Sequence, residues 1–238
     1  MKRILMIAAV LLLLVSMTAH AQDEDPCMFT IGGVLDAETG QCTIQVSINL
    51  NVDYPPPGEQ PEFIAQAITD FIQNTTATFM NYFTTTPLPP TQAAPWELWV
   101  DYEVSQYRDW LVSYKFTIYE YTGGAHGNTA FQTFNFDLQN EREILLSDLF
   151  DEAGLTQVSE IAQEQLKETL GDMVDEQWLA DGTAPTPENY QNFVFTEDSL
   201  VFTIPQYQVA PYAAGPQTVT IPLSDLVGVS IAPFLNAR

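Results

Sequence analysis

Residues 110–138, WLVSYKFTIYEYTGGAHGNTAFQTFNFDL, decide the fold of this chain. Trp110, Val112, Tyr114, Phe116 and Ile118 recur at every second position, and Phe134, Phe136 and Leu138 do so again after the glycines. Period two marks a strand with one buried face, because successive side chains point to opposite sides of a sheet. Between the two runs, Gly123-Gly124 and Gly127-Asn128 supply turns in which a positive φ costs little. His126 stands between those turns, and the other histidine, His20, lies in a segment expected to be removed.

Upstream, WELWVDYEV (96–104) puts Trp96, Leu98, Val100, Tyr102 and Val104 on one face, and a short turn at 106–109 pairs this run antiparallel with the next. Before it, Phe63, Ile64, Ala67, Ile68, Phe71, Ile72, Phe79 and Phe83 recur at helical spacing, one apolar stripe over about six turns of 3.6 residues each. Earlier still, CTIQVSINLNVDY (42–54) alternates Ile44, Val46, Ile48 and Leu50 as a half-buried strand. Downstream, Ser147 or Asp148 reads as the N-cap of a helical turn. A second amphipathic helix is expected from about Leu155 to Ala180, with Gly171 interrupting it. NFVFTEDSLVFTI (192–204) is a hairpin around Glu197-Asp198, QYQVAPYAAGPQ (206–217) a loop or edge, and TVTIPL (218–223) the last strand. Helices that interrupt hairpins, rather than alternate with single strands, predict an α+β fold in which two long amphipathic helices pack on antiparallel sheet.

The ends and the composition set the compartment. Lys2 and Arg3, the apolar run Ile4–Val15 and Ala19-His20-Ala21 form a secretory leader, with cleavage expected after Ala21. The run is shorter than the roughly 20 residues a membrane-spanning helix needs, so no span is expected after cleavage. The expected division is 1–21 leader, 22–104 an N-terminal strand–helix–strand half, and 105–238 a C-terminal half. Cys27 and Cys42 are the whole cysteine complement, and in an oxidising compartment an even pair so close predicts a disulfide. Lys and Arg total 7 against 31 Asp and Glu. That surface repels phosphate backbones, which excludes nucleic acid, and attracts basic proteins or cations.

Chemistry is hard to find. No G-x-S-x-G elbow is present, and bridged cysteines cannot serve as nucleophiles. Two cysteines and one mature histidine are too few for a structural zinc site, and no D-x-[DN]-x-[DN]-G loop for calcium appears, so no metal or cofactor is expected. A carboxylate pair for glycoside cleavage needs two acids roughly 5 to 9.5 Å apart, a condition that many acids meet by chance. His126 has two readings: a structural one, pinning a sheet corner through hydrogen bonds to backbone, and a binding one, since loops held by rigid strands commonly carry recognition.

YTGGAHGNT, FNFDL, ILLSDLF, NFVFTEDSLVFTI, YQVAPYAAG and VTIPLSDL, in that order, resemble a secreted bacterial domain of unknown function. That domain forms the extracellular, lysozyme-binding part of an anti-sigma-V factor and also precedes the catalytic domain of some peptidoglycan deacetylases. The match covers about 105–227, and the strand, helix and WELWVDYEV before it look like the companion domain that usually stands there. The resemblance implies an α+β fold and a cell-envelope setting. It carries over no catalytic residue. The resemblance is not expected to extend to the cytoplasmic segment and span of the anti-sigma factor or to the zinc-binding domain of the deacetylases. The expectation is an accessory, non-enzymatic binding module for a cell-wall glycan or a basic protein such as lysozyme. Its candidate ligand-binding residues are Tyr121, Gly123, Gly124, Ala125 and His126, with Pro211, Tyr212 and Gly215 as a neighbouring loop. The alternative is a hydrolase of envelope polymers that uses a carboxylate pair.

Overall fold

The structure, a computed structural model, describes residues 34–36, 38–43, 47–86 and 95–236. The segment expected to be a leader, Cys27 and the side chain of Cys42 lie outside the described residues, and with them the cleavage and disulfide expectations.

The chain divides into two compact units. Of the first, the described part is a short antiparallel hairpin, β1 (Val34–Leu35) and β2 (Cys42–Thr43). Its turn is closed by the Asp36 carboxylate, which accepts the backbone N–H groups of Glu38 and Thr39.

The second unit comprises residues 46–86 and 93–238. It contains a five-stranded sheet in the order β3 (Ile48–Val52), β4 (Trp96–Tyr107), β5 (Leu111–Tyr121), β6 (Asn128–Asp137) and β7 (Arg142–Glu143). The stretch quoted at the outset forms β5 and β6, paired antiparallel from Leu111↔Asp137 to Glu120↔Asn128. One pairing departs from the all-antiparallel expectation. β3 runs parallel to β4, because the helix α1 (Glu62–Thr85) lies between them in sequence and carries the chain back to the same end of the sheet. α1 buries Ile64, Ile68, Ile72 and Phe79. Around them Phe63 meets Phe136, Phe71 meets Phe116 and Phe134, and Phe79 and Phe83 flank Trp96. The expected period-two face of β4 is therefore the helix-facing one, although Val104 stays 52% exposed. Leu50 on β3 is 41% exposed, at the sheet's edge.

The remainder of this unit is a three-stranded antiparallel sheet in the order β10 (Gln217–Pro222), β9 (Ser199–Ile204), β8 (Phe193–Phe195), packed with helices. Neither Ser147 nor Asp148 is an N-cap. Both lie inside a short helix, α2 (Leu146–Leu149), where the Asp148 carboxylate reaches back to accept the N–H of Leu145 at 2.8 Å. The next helix, α3 (Glu152–Leu170), is capped by Asp151, which accepts the N–H of Gly154. It ends at Gly171, whose φ of 52° stops the helix; a 3-10 turn and a separate helix, α4 (Glu176–Gly182), follow. The helix expected over 155–180, with its interruption at Gly171, is thus two helices.

One core joins both sheets. Tyr107 and Leu111, from β4 and β5, are buried in the same cluster as Val158, Leu166, Phe193 and Phe202. The boundary drawn from sequence at 104/105 falls inside β4. Among the described residues the outer edge of β8 has no neighbouring strand, and side chains of the large sheet take that place. Ser105 Oγ donates to Phe195 O (2.6 Å), Phe195 N donates to Ser113 Oγ (3.0 Å), Asn135 Nδ2 donates to Phe193 O (2.9 Å) and Phe193 N donates to Thr133 Oγ1 (3.1 Å). Ser113 Oγ also donates to Asn135 Oδ1 at 2.6 Å, so the bridging side chains hold one another. Beyond β10, Gln165 on α3 brackets Thr220: its Nε2 donates to Thr220 O (2.8 Å) and its Oε1 accepts Thr220 N–H (3.0 Å).

Candidate binding site

The corner between β5 and β6 is built as the glycines require. Gly123 and Gly124 have φ of 104° and 95°, a region costly for a side chain, and Tyr121 Oη donates to Gly124 O at 3.1 Å to close the turn. Ala125 and His126 follow, both exposed. At the other end of the sequence, Pro211 leads into a 3-10 turn, Tyr212–Ala214, which ends at Gly215 with φ of 68°. Gln217 Nε2 holds that turn by donating to Ala214 O and Gly215 O.

The two loops meet at one atom. Gly127 O accepts from Tyr212 Oη at 3.0 Å and from His126 Nδ1 at 3.0 Å, and the imidazole stacks on the Tyr212 ring with centroids 4.0 Å apart and planes 21° from parallel. A carbonyl partner requires that Nδ1 carry its hydrogen. The neutral ring therefore presents a bare Nε2, which has no hydrogen-bond partner among the described residues. No serine hydroxyl is bonded to the ring either, so the described contacts contain no Ser-His arrangement. Tyr207, itself at φ of 70°, extends the ridge with its ring centroid 5.6 Å from that of Tyr212.

Sequence reasoning paired the right loops but missed their mount. Gly127 is buried because the Tyr119 ring lies where a Cβ would stand. Tyr119 could have been found from register: it shares parity with Tyr121, away from the α1-facing residues Tyr114, Phe116 and Ile118. His126 pins a backbone carbonyl, as its structural reading expects, and stands exposed.

A second feature is a cleft of about 360 Å³ lined by Gln132, Asn135, Glu143, Ser147 and Glu188, among others. Burial pushes the Glu143 carboxyl above its usual range. Among the described residues no group of three or more His, Cys, Asp or Glu side chains is placed to hold a metal ion, and no helix is long and apolar enough to cross a membrane.

Fold and site together define an α+β chain whose exposed aromatic ridge is mounted on a sheet corner. Two family models divide it: residues 40–129 match the model described as deacetylase PdaC, and residues 147–224 match that of a protein of unknown function, DUF3298. YTGGAHGNT thus falls in the first region, not in the second where the resemblance had placed it. The chain is 37% identical over 142 residues to peptidoglycan-N-acetylmuramic acid deacetylase PdaC of Bacillus subtilis, a match covering 59% of this chain and 30% of that protein's length. It is 29% identical over 238 residues to immunogenic protein MPT64 of Mycobacterium tuberculosis, covering 94% of this chain and 96% of the relative. Esterase Rv3036c of the same organism is 27% identical over 242 residues, covering 96% of this chain and all of the relative. Among solved structures, a DUF3298 member from Bacteroides fragilis superposes with a TM-score of 0.52 at 24% identity, covering 75% of this chain and 73% of that one. That likeness speaks for the fold alone.

Proposed function

We propose that this chain is a secreted binding module of the cell envelope that holds a wall component or a basic wall-directed protein without transforming it. The observation that carries the reading is the meeting of two distant loops at Gly127 O, which leaves His126, Tyr212 and Tyr207 as a ridge with no nucleophile on the imidazole among the described residues. The deacetylase relative supports the envelope setting, and the acidic balance supports a cationic ligand. The test is retention of the chain on isolated cell-wall sacculi, alongside calorimetric titration with lysozyme and with an unrelated small basic protein, at low and physiological salt. Charge alone is screened over about 8 Å at physiological ionic strength. A specific partner keeps its affinity there and loses it in Tyr212→Ala, because a desolvated aromatic contact remains when the long-range field is gone. Equal binding of both basic proteins that vanishes with salt, and no retention on sacculi, would refute the reading.

A hydrolytic alternative has its address in the cleft of Glu143 and Glu188, where partial burial pushes the Glu143 carboxyl up, the direction that suits a general acid. It requires ester or glycoside turnover that disappears in Glu143→Gln.

A further inference from the structure

The large sheet has two faces, and the one turned away from α1 is only half covered. Toward one end, Ser105, Ser113 and Asn135 are occupied by β8. The strands run on past that cover. Beyond it Trp99 and Tyr119 stand directly opposite each other on β4 and β5, and Thr117 stands opposite Phe131 on β6. Trp99 is 49% exposed, Tyr119 and Phe131 are half-buried, and Tyr119 leads directly into the Gly127 corner. Strands about 4.8 Å apart place the outer members of this shelf roughly 10 Å from each other, the reach of a short run of sugar rings. Its rim is acidic. Glu97 and Asp101 flank Trp99 on the same strand face, and among the described residues the one hydrogen bond to the Asp101 carboxylate is from its neighbour's N–H, the backbone of Tyr102.

We infer that this shelf binds a β-linked aminoglycan whose amines are free, a de-N-acetylated stretch of wall polysaccharide. The inference rests on the envelope-binding reading and names its ligand. Flat apolar sugar faces suit exposed aromatic rings, which offer large contact area at small entropic cost. The charge then selects among glycans. A chain of net charge −24 disfavours anionic polymers, while a protonated amine over an indole and beside an exposed carboxylate gains from both. A neutral N-acetylated sugar would stack on the rings but make no use of Asp101.

The test uses the full chain, titrated with a glucosamine oligomer, the matching N-acetylglucosamine oligomer and an oligolysine of equal charge. The glucosamine oligomer is expected to bind about ten-fold more tightly than its acetylated partner, the effect of one desolvated cation–aromatic contact. Trp99→Ala should remove about that factor and Trp99→Phe restore part of it, with circular dichroism unchanged because the side chain is exposed. Asp101→Asn should narrow the preference between the two glycans. Equal affinity for both glycans, indifference to Trp99→Ala, equal binding of oligolysine, or a dimer that Trp99→Ala dissolves would each overturn the inference. If no oligomer binds while sacculi still retain the chain through Tyr212, this inference falls and the envelope-binding reading stands. If retention is absent as well, both fall.

Discussion

Gly124 and Gly127 sit three residues apart and are glycine for different reasons. At Gly124 the obstacle is the backbone: φ is 95° and nothing stands within 4 Å of where a Cβ would go. Gly124→Val should therefore lower stability by about 1 kcal/mol or more through strain alone, read as a fall in the urea midpoint. At Gly127 the obstacle is the Tyr119 ring, so Gly127→Ala should displace that ring, visible in its NMR resonances, and weaken ligand retention by loosening the Tyr212 contact. Glu143 gives a pH signature. Its folded carboxyl titrates above the ordinary glutamate value of about 4.3 because burial penalises the charge. A raised value means that this residue's stabilisation is complete below the unfolded value and is lost as pH rises through the folded one. Glu143→Gln should consequently unfold at a higher urea concentration than the parent at pH 7, and at the same concentration at pH 3. A higher midpoint at both values would point to packing rather than ionisation.

Among the elements, β8 depends on side chains along its whole outer edge. Asn135→Ala strips Phe193 O and Ser113 Oγ of a partner inside the fold, and each buried group left unsatisfied costs about 1–3 kcal/mol. The expected result is a drop in urea midpoint well beyond that of Thr220→Ala, an exposed substitution on β10. Here the limits of the sequence are plain. β5, β6 and α1 were legible because one face of each is apolar at a fixed period, and Tyr212 was placed beside the His126 loop on the strength of family resemblance. The parallel pairing of β3 with β4 was not legible, since alternation says nothing about direction. Ser105, Ser113, Thr133 and Asn135 read as the polar, outward side of their strands, whereas they face a second sheet that only tertiary structure supplies. The shelf of Trp99 and Phe131 was passed over for the same reason, because an aromatic on the polar side of an alternating strand has no signature of its own.

For the whole molecule, the two regions matched by separate family models do not correspond to separate cores. Tyr107 and Leu111 lie in the first region and are buried with Phe193 and Phe202 of the second. Fragments 40–129 and 130–238 made alone should each lack cooperative unfolding, while the full chain should lose Trp fluorescence and far-UV ellipticity in one coincident transition. Two well-separated transitions would show that the halves are independent. The side chains bordering the small sheet have a further consequence. Extended peptides commonly bind proteins, and misfolded chains recruit one another, by adding a strand to an open sheet margin. Asn135, Ser113 and Thr133 occupy one margin of this sheet, and Gln165 occupies part of the other. Strand invasion is thereby blocked at β8 and hindered at β10, so the small sheet is guarded against templated fibre growth, and a partner of this half must approach over faces and loops.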